Sequence, residues 1–291
     1  MKSPRPATAR STAAERGAVT NGATETRSAA ELRREISARN QARGRHYDHE
    51  VSWGPSASVI FSEMDGSHGN FLSASWANIN KNPAWQKRLT KSYTASRYVP
   101  RAQDRRRSEL DCATSSDALL INIFCYPRVL ARPSLCALLG IETGTIPEFG
   151  FRPAIPLARG LADRTEIDMR VGSLLVEAKL TEADFQRAPL RLLQRYRDLN
   201  DVFHTEQLPV RDGVVQSWQL IRGVLAAHAT RSSFFVCCDR RRPDLIDRWF
   251  HVMRAVSDAS LRTRLGILTW QEISMTLPKP LRLFLDEKYG I

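Results

Sequence analysis

Along this chain the apolar and polar positions fall into a strict alternation between residues 164 and 182, "RTEIDMRVGSLLVEAKLTE". The alternation runs on both sides of Gly172-Ser173, the period-2 pattern of two strands joined by a tight turn. Glycine in the first central position suits a type II′ turn, and a two-residue loop fixes the register. With Val171 and Leu174 flanking the turn, Arg170 opposes Leu175, Met169 opposes Val176, Asp168 opposes Glu177 and Glu166 opposes Lys179. One face then carries Ile167, Met169, Val171, Leu174, Val176, Ala178 and Leu180, all apolar, and is expected to be core. Its opposite carries Glu166, Asp168, Arg170, Glu177 and Lys179 with Leu175.

Other segments read by the same means. "SSDALLINIF", residues 115 to 124, is a serine-capped apolar run, hence a buried helix entered near Ser115 or Ser116. Asn82-Pro83 opens a helix with Trp85, Leu89 and Tyr93 on one face and Lys87, Arg88 and Lys91 on the other, a solvated face or a phosphate contact. "EFGFRPAIPL" reads as a proline-interrupted strand near a sheet edge. After the hairpin, "PLRLLQRYRDLNDVF" aligns Leu192, Tyr196, Leu199 and Phe203 on one helical face. "GVVQSWQLIRGVLAAHA" follows as a second helix burying Val214, Trp218, Ile221 and Leu225. "SSFFVCC" is a strand buried on both faces, expected to lie parallel to the second hairpin strand through a helical crossover. The remainder is mainly helical with one short apolar segment, "LGILTW", and reads as covering structure.

Residues 1 to 50 contain almost no large apolar residue before Leu32 and are expected to form a disordered basic arm, in which "SAAELRREISARNQAR" has a helical pattern capped at Ser28. Residues 51–291 form one domain: a helical extension over 51–110, a core over 111–240 and covering helices over 241–291. The net charge is +12, and +8 of it lies beyond residue 50, so the basicity belongs to the globular part and favours an anionic partner, nucleic acid first. Five cysteines without CxxC spacing read as reduced core residues. Apolar runs such as "ALLINIF" are too short to span a bilayer and the start lacks an apolar signal core, so a cytoplasmic protein with no membrane partner is expected.

The hairpin's polar face poses a chemical question. Asp168 and Glu177 are direct cross-strand neighbours, and like charges so placed are destabilising. Two readings answer it. In one, the face is solvated, Glu166 pairs with Lys179, Arg170 lies diagonally near the acids and water screens the repulsion. In the other, a divalent cation sits between the carboxylates, whose hard oxygens suit Mg²⁺, with Lys179 beside it.

The order helix, strand, hairpin, helix, strand, with "EIDM" and "VEAK" on the hairpin, resembles the PD-(D/E)XK phosphodiesterase superfamily. Within it the chain is most similar to a bacterial branch of restriction-endonuclease-like proteins, through "SSDALLIN" on the first helix and the aromatic-Gln-Leu of "WQLIR" on the second. The resemblance covers about residues 70 to 291. It implies an α/β fold, the restriction endonuclease-like αβββαβ core with a mixed central sheet flanked by helices and extra helices at both ends. It also implies Mg²⁺, or Mn²⁺, held by Asp168, Glu177 and the Ala178 carbonyl, with Lys179 stabilising developing charge and Gln219 donating a hydrogen bond to phosphate or water. Asp117 has two readings, a further acid on the metal side or a first-turn charge that favours the helix. Arg222, sharing the stripe of Gln219, is a weaker candidate, and none of the six histidines has ligand spacing. The expected function is a metal-dependent DNA endonuclease of the restriction or repair type, simplest as a homodimer for a double-strand cut. The alternatives are an inactive nucleic-acid-binding module or a subunit of a defence system.

Overall fold

A computed structural model describes residues 26–52, 57–91 and 108–291. The disordered arm expected over residues 1–25 and the helical position expected for Tyr93 lie outside the described residues. In chain order the elements that build the site are α1 (Ala29–Gly44), α2 (Pro83–Leu89), α3 (Ser116–Phe124), β1 (Pro147–Phe151), β2 (Ile167–Val171), β3 (Leu174–Ala178), α4 (Trp218–Thr230), β4 (Ser233–Cys238), α5 (Pro243–Ala255), β5 (Leu265–Thr269) and α6 (Lys279–Tyr289). The sheet order is β5-β4-β3-β2-β1. β1, β2 and β3 form an antiparallel meander, whereas β3, β4 and β5 run parallel, so the sheet is mixed. From α3 to β4 this is the αβββαβ order expected, with β1 at the edge. "LGILTW" is more than cover, because it supplies the fifth strand.

Helices bury both faces of the sheet. On one side Leu175, Phe234, Val236 and Cys238 pack with Ile221 and Val224 of α4 and Trp249 and Val252 of α5. On the other, Met169, Val171, Val176 and Cys237 pack with Leu32 and Ile36 of α1, Leu120 of α3 and Phe284 and Leu285 of α6. The hairpin has the register expected from its turn: Val171 opposes Leu174, Arg170 opposes Leu175 and Met169 opposes Val176. Gly172 has φ +58° while Ser173 is not left-handed, as a type II′ turn requires. Ile167 departs from the expected face and joins the α4 side, because the strands have parted by the time β2 reaches it.

Two regions differ from the pattern read along the chain. Residues 29–44 are not part of a disordered arm: α1 is closed by a capping box between Ser28 and Glu31, and Leu32 and Ile36 are fully buried. Each such side chain contributes about 1.5–3 kcal/mol on burial. Arg33 adds a hydrogen bond to the Thr181 carbonyl at 3.0 Å and Asn40 one to the Lys288 carbonyl at 3.0 Å, so two large apolar residues suffice to dock the helix. The second region is residues 187–216, which cover the helix expected over 189–203 and the start of the one expected from Gly213. It holds two single turns, Leu190–Leu193 and Leu199–Val202, beside a small antiparallel sheet of Arg187–Pro189, Val210–Arg211 and Val214–Gln216. Val214 is therefore in a strand, and α4 begins only at Trp218.

Candidate active site

The β2–β3 ladder ends one step before the two acids. Met169 and Val176 are its last paired residues, and the next hydrogen bond runs from the Ala178 N–H to the Asp168 carboxylate at 2.8 Å instead of to β2 backbone. A side chain thus replaces a backbone acceptor and the strands fork there. The Lys179 N–H donates to Cys237 O on β4 at 2.8 Å. Because the N–H and C=O of one residue point to the same side of a strand, the Ala178 carbonyl faces the fork with its own N–H. Asp168 and the Ala178 carbonyl therefore face the same fork, and Glu177 is near enough for its charge to act on the Asp168 carboxyl.

Glu177 and Lys179 are both 5% exposed, so the solvated reading of this face fails on β3. Lys179 Nζ donates to Glu177 Oε1 at 2.6 Å and does not pair with Glu166. The Lys179 carbonyl accepts from the Trp270 indole at 2.8 Å, which pins the residue from behind the sheet. Arg170 points elsewhere, to Glu148 at 2.6 Å. Burial raises the Asp168 carboxyl well above the ordinary carboxylate range, and the charges of Glu177 and Asp117 raise it further against smaller opposing effects of Lys179 and Lys91. For Lys179, burial works against the charged form, but Glu177, Glu182 and Asp168 outweigh it and the ammonium is held more firmly than usual.

Asp168, Ala178, Lys179, Asp117 and Gln219 all line one cleft of about 770 Å³. Gln219 lies in the first turn of α4, whose leading N–H groups are taken by the carbonyls of Gln186 and Phe185 at 3.1 and 2.9 Å, leaving its side chain to face the cleft. Ser115 caps α3 through its side chain, accepting from the Ala118 N–H at 3.1 Å, so Asp117 is not the capping residue. Its carboxylate instead accepts from Arg88 Nη2 at 2.8 Å and Lys91 Nζ at 2.6 Å. Arg222 stands apart from the cleft, 3.1 Å from Asp163, and anchors the strand before β2.

Sequence reasoning named Arg88 and Lys91 only as a solvated or phosphate-contacting face, not as partners of Asp117, and missed Glu182. Arg88 is buried, not on a solvated face, and its second arm reaches Glu166 at 2.6 Å. Gly150 makes room for it: a Cβ there would meet Arg88 Nη1 at 2.5 Å. Glu182 accepts from the Ser116 hydroxyl at 2.5 Å and from the Leu180 N–H at 2.6 Å, joining the α3 cap to the loop after β3. A lone acid in a short loop carries no periodic signal, so nothing in the sequence marked it. All five cysteines are unpaired and buried.

Among the described residues no three His, Cys, Asp or Glu side chains gather as a complete metal shell, and no helix is long and apolar enough to cross a membrane. Two carboxylates do not exclude Mg²⁺, which keeps several waters and takes one or two protein carboxylates. The oxygen set at the fork, with one carboxyl strained by its neighbours' charge, fits such an ion. The family described as Restriction Endonuclease associating with ARP matches residues 14–290, nearly the whole chain, and this chain belongs to that family. No curated protein and no solved structure matches it.

Proposed function

We propose that the chain is a Mg²⁺-dependent endonuclease that hydrolyses phosphodiester bonds of DNA, of the restriction or repair type, with Mn²⁺ able to replace Mg²⁺. The observation that carries the reading is the fork of the hairpin, where the Asp168 carboxylate takes the Ala178 N–H in place of a backbone acceptor and Glu177 pairs with a buried, protonated Lys179. Family membership supports the nuclease class and, through it, DNA as substrate. The same description names an association with ARP, which enters the proposal as the partner.

Asp168, Glu177 and the Ala178 carbonyl would hold the cation. When bound, a divalent ion supplies Lewis acidity toward a phosphoryl oxygen and makes water more acidic. The chain's own groups do the rest. Lys179 keeps its proton, so it is a donor, orienting the attacking water and facing the negative charge that develops on phosphate. A general-base role does not suit an ammonium held by Glu177 at 2.6 Å. Gln219, at the rim of the cleft, donates its amide N–H to a phosphate oxygen or to water. Arg33 and Arg152, on the same walls, offset the charge of the DNA backbone.

A plasmid nicking assay over a series of divalent metals tests the proposal. Cleavage with Mg²⁺ or Mn²⁺, lost in Lys179→Ala with the circular dichroism unchanged, is the expected result. DNA binding without cleavage under every metal would instead assign the chain to the nucleic-acid-binding modules.

A further inference from the structure

The cleft holds a second group of carboxylates that the proposed chemistry does not use. Asp117 on α3 and Glu166 just before β2 stand on the same wall as Asp168, and the charge of Asp117 is strong enough there to raise the Asp168 carboxyl. Left alone, three carboxylates so near one another would take up a second divalent ion or protonate. The chain brings its own cations to two of them. Arg88 spans Asp117 and Glu166 at 2.8 and 2.6 Å, and Lys91 lies 2.6 Å from Asp117, 3.1 Å from Glu109 and 3.4 Å from Glu166. The two differ in access. Arg88 is buried, whereas the Lys91 side chain keeps 24% of its surface and lines the cleft itself.

We propose that Lys91 occupies the place of a second metal ion: its ammonium, fixed by Asp117, Glu166 and Glu109, is the permanent cation on the α3 side, and the cleft loads a single divalent ion at Asp168. The inference rests on the proposed metal-dependent reading. Asp117 is then a positioning residue that holds Lys91, a role distinct from both of its sequence readings, and Arg88 is the structural cation that keeps Asp117 and Glu166 in place. Lys91 also lines the cleft, where its compact ammonium can meet a phosphate oxygen.

The test counts ions. Titration of the full chain with Mn²⁺, followed by calorimetry and by the electron paramagnetic resonance of free Mn²⁺, is expected to give one ion per chain for the wild type and for Lys91→Arg. Lys91→Met, isosteric in its stem but without charge, is expected to give two, and the double variant Lys91→Met with Asp117→Asn to return to one. Anomalous diffraction of wild-type crystals soaked in Mn²⁺ keeps the question open to refutation if Lys91→Met does not fold: a peak at Asp168 with none at Asp117 supports the proposal. Two ions in the wild type, or one in a folded Lys91→Met, overturns it while leaving the metal-dependent nuclease intact. No Mn²⁺ binding at all overturns both.

Discussion

Two stations of carboxylates line one cleft and have opposite electrostatics. At the hairpin fork Asp168 receives a single backbone N–H, and its carboxyl is raised by burial and by the nearby charges of Glu177 and Asp117. At the α3 station Asp117 and Glu166 are saturated by Arg88 and Lys91, and Glu166 is held below the ordinary range because Arg88 and Lys91 outweigh its burial. Residue type alone does not separate them. What separates them is whether the fold brings a cation of its own. The saturated station is architecture, and the strained one is where the proposed ion would bind.

The contrast can be broken at several points. The largest effect is expected at the saturated station: Arg88→Met leaves two partly buried carboxylates short of a partner and is expected to destabilise the fold by about 3–5 kcal/mol, read from urea midpoints. At the strained station Asp168→Asn should reverse the pattern. It is expected to lower cleavage by about 10²–10³-fold, on the scale of losing one preorganised electrostatic group, while the urea midpoint stays equal or rises because a repelled charge is gone. A loss of stability there would show that the fork's acids are structural.

Next in size is a pH effect in metal-free protein. Because the folded-state affinity of Asp168 for its proton exceeds that of the unfolded chain, its stabilising contribution is complete below the ordinary carboxylate range and is lost as pH rises through the raised titration. Stability in EDTA is therefore expected to decline with rising pH by up to about 1.4 kcal/mol per unit in that window, and Asp168→Asn to flatten the decline. The smallest effect is expected outside the cleft, where Glu148→Gln removes the partner of Arg170 at the sheet surface and should change stability by less than about 1 kcal/mol.

Much of the site was readable because it depends on local rules. A two-residue turn and strict alternation set the hairpin register, and element order then carried Asp168, Lys179 and Gln219 into one cleft. Family resemblance added the roles. Arg88 escaped because its contact with Glu166 spans 78 residues and is made by a helix whose periodicity reads equally well as a charged surface. Residues 187–216 differ from expectation for another reason: the spacing of Leu192, Tyr196 and Leu199 reads as one helix over 189–203, and taking Gly213 as the start of the next helix passes over an Asp212-Gly213 hairpin turn, with φ +51° and +71°. Turn chemistry there outweighs a periodicity that short segments satisfy by accident.

The docking of α1 has a consequence for how the protein is made. Asn40 and Lys288 are 248 positions apart, and their helices help to back the strand that carries Glu177 and Lys179. During translation that strand must wait, after its own synthesis, until residues 279–289 have left the ribosome. A nascent chain that ends before residue 279 therefore carries the hairpin and α1 but lacks the last helix that backs them.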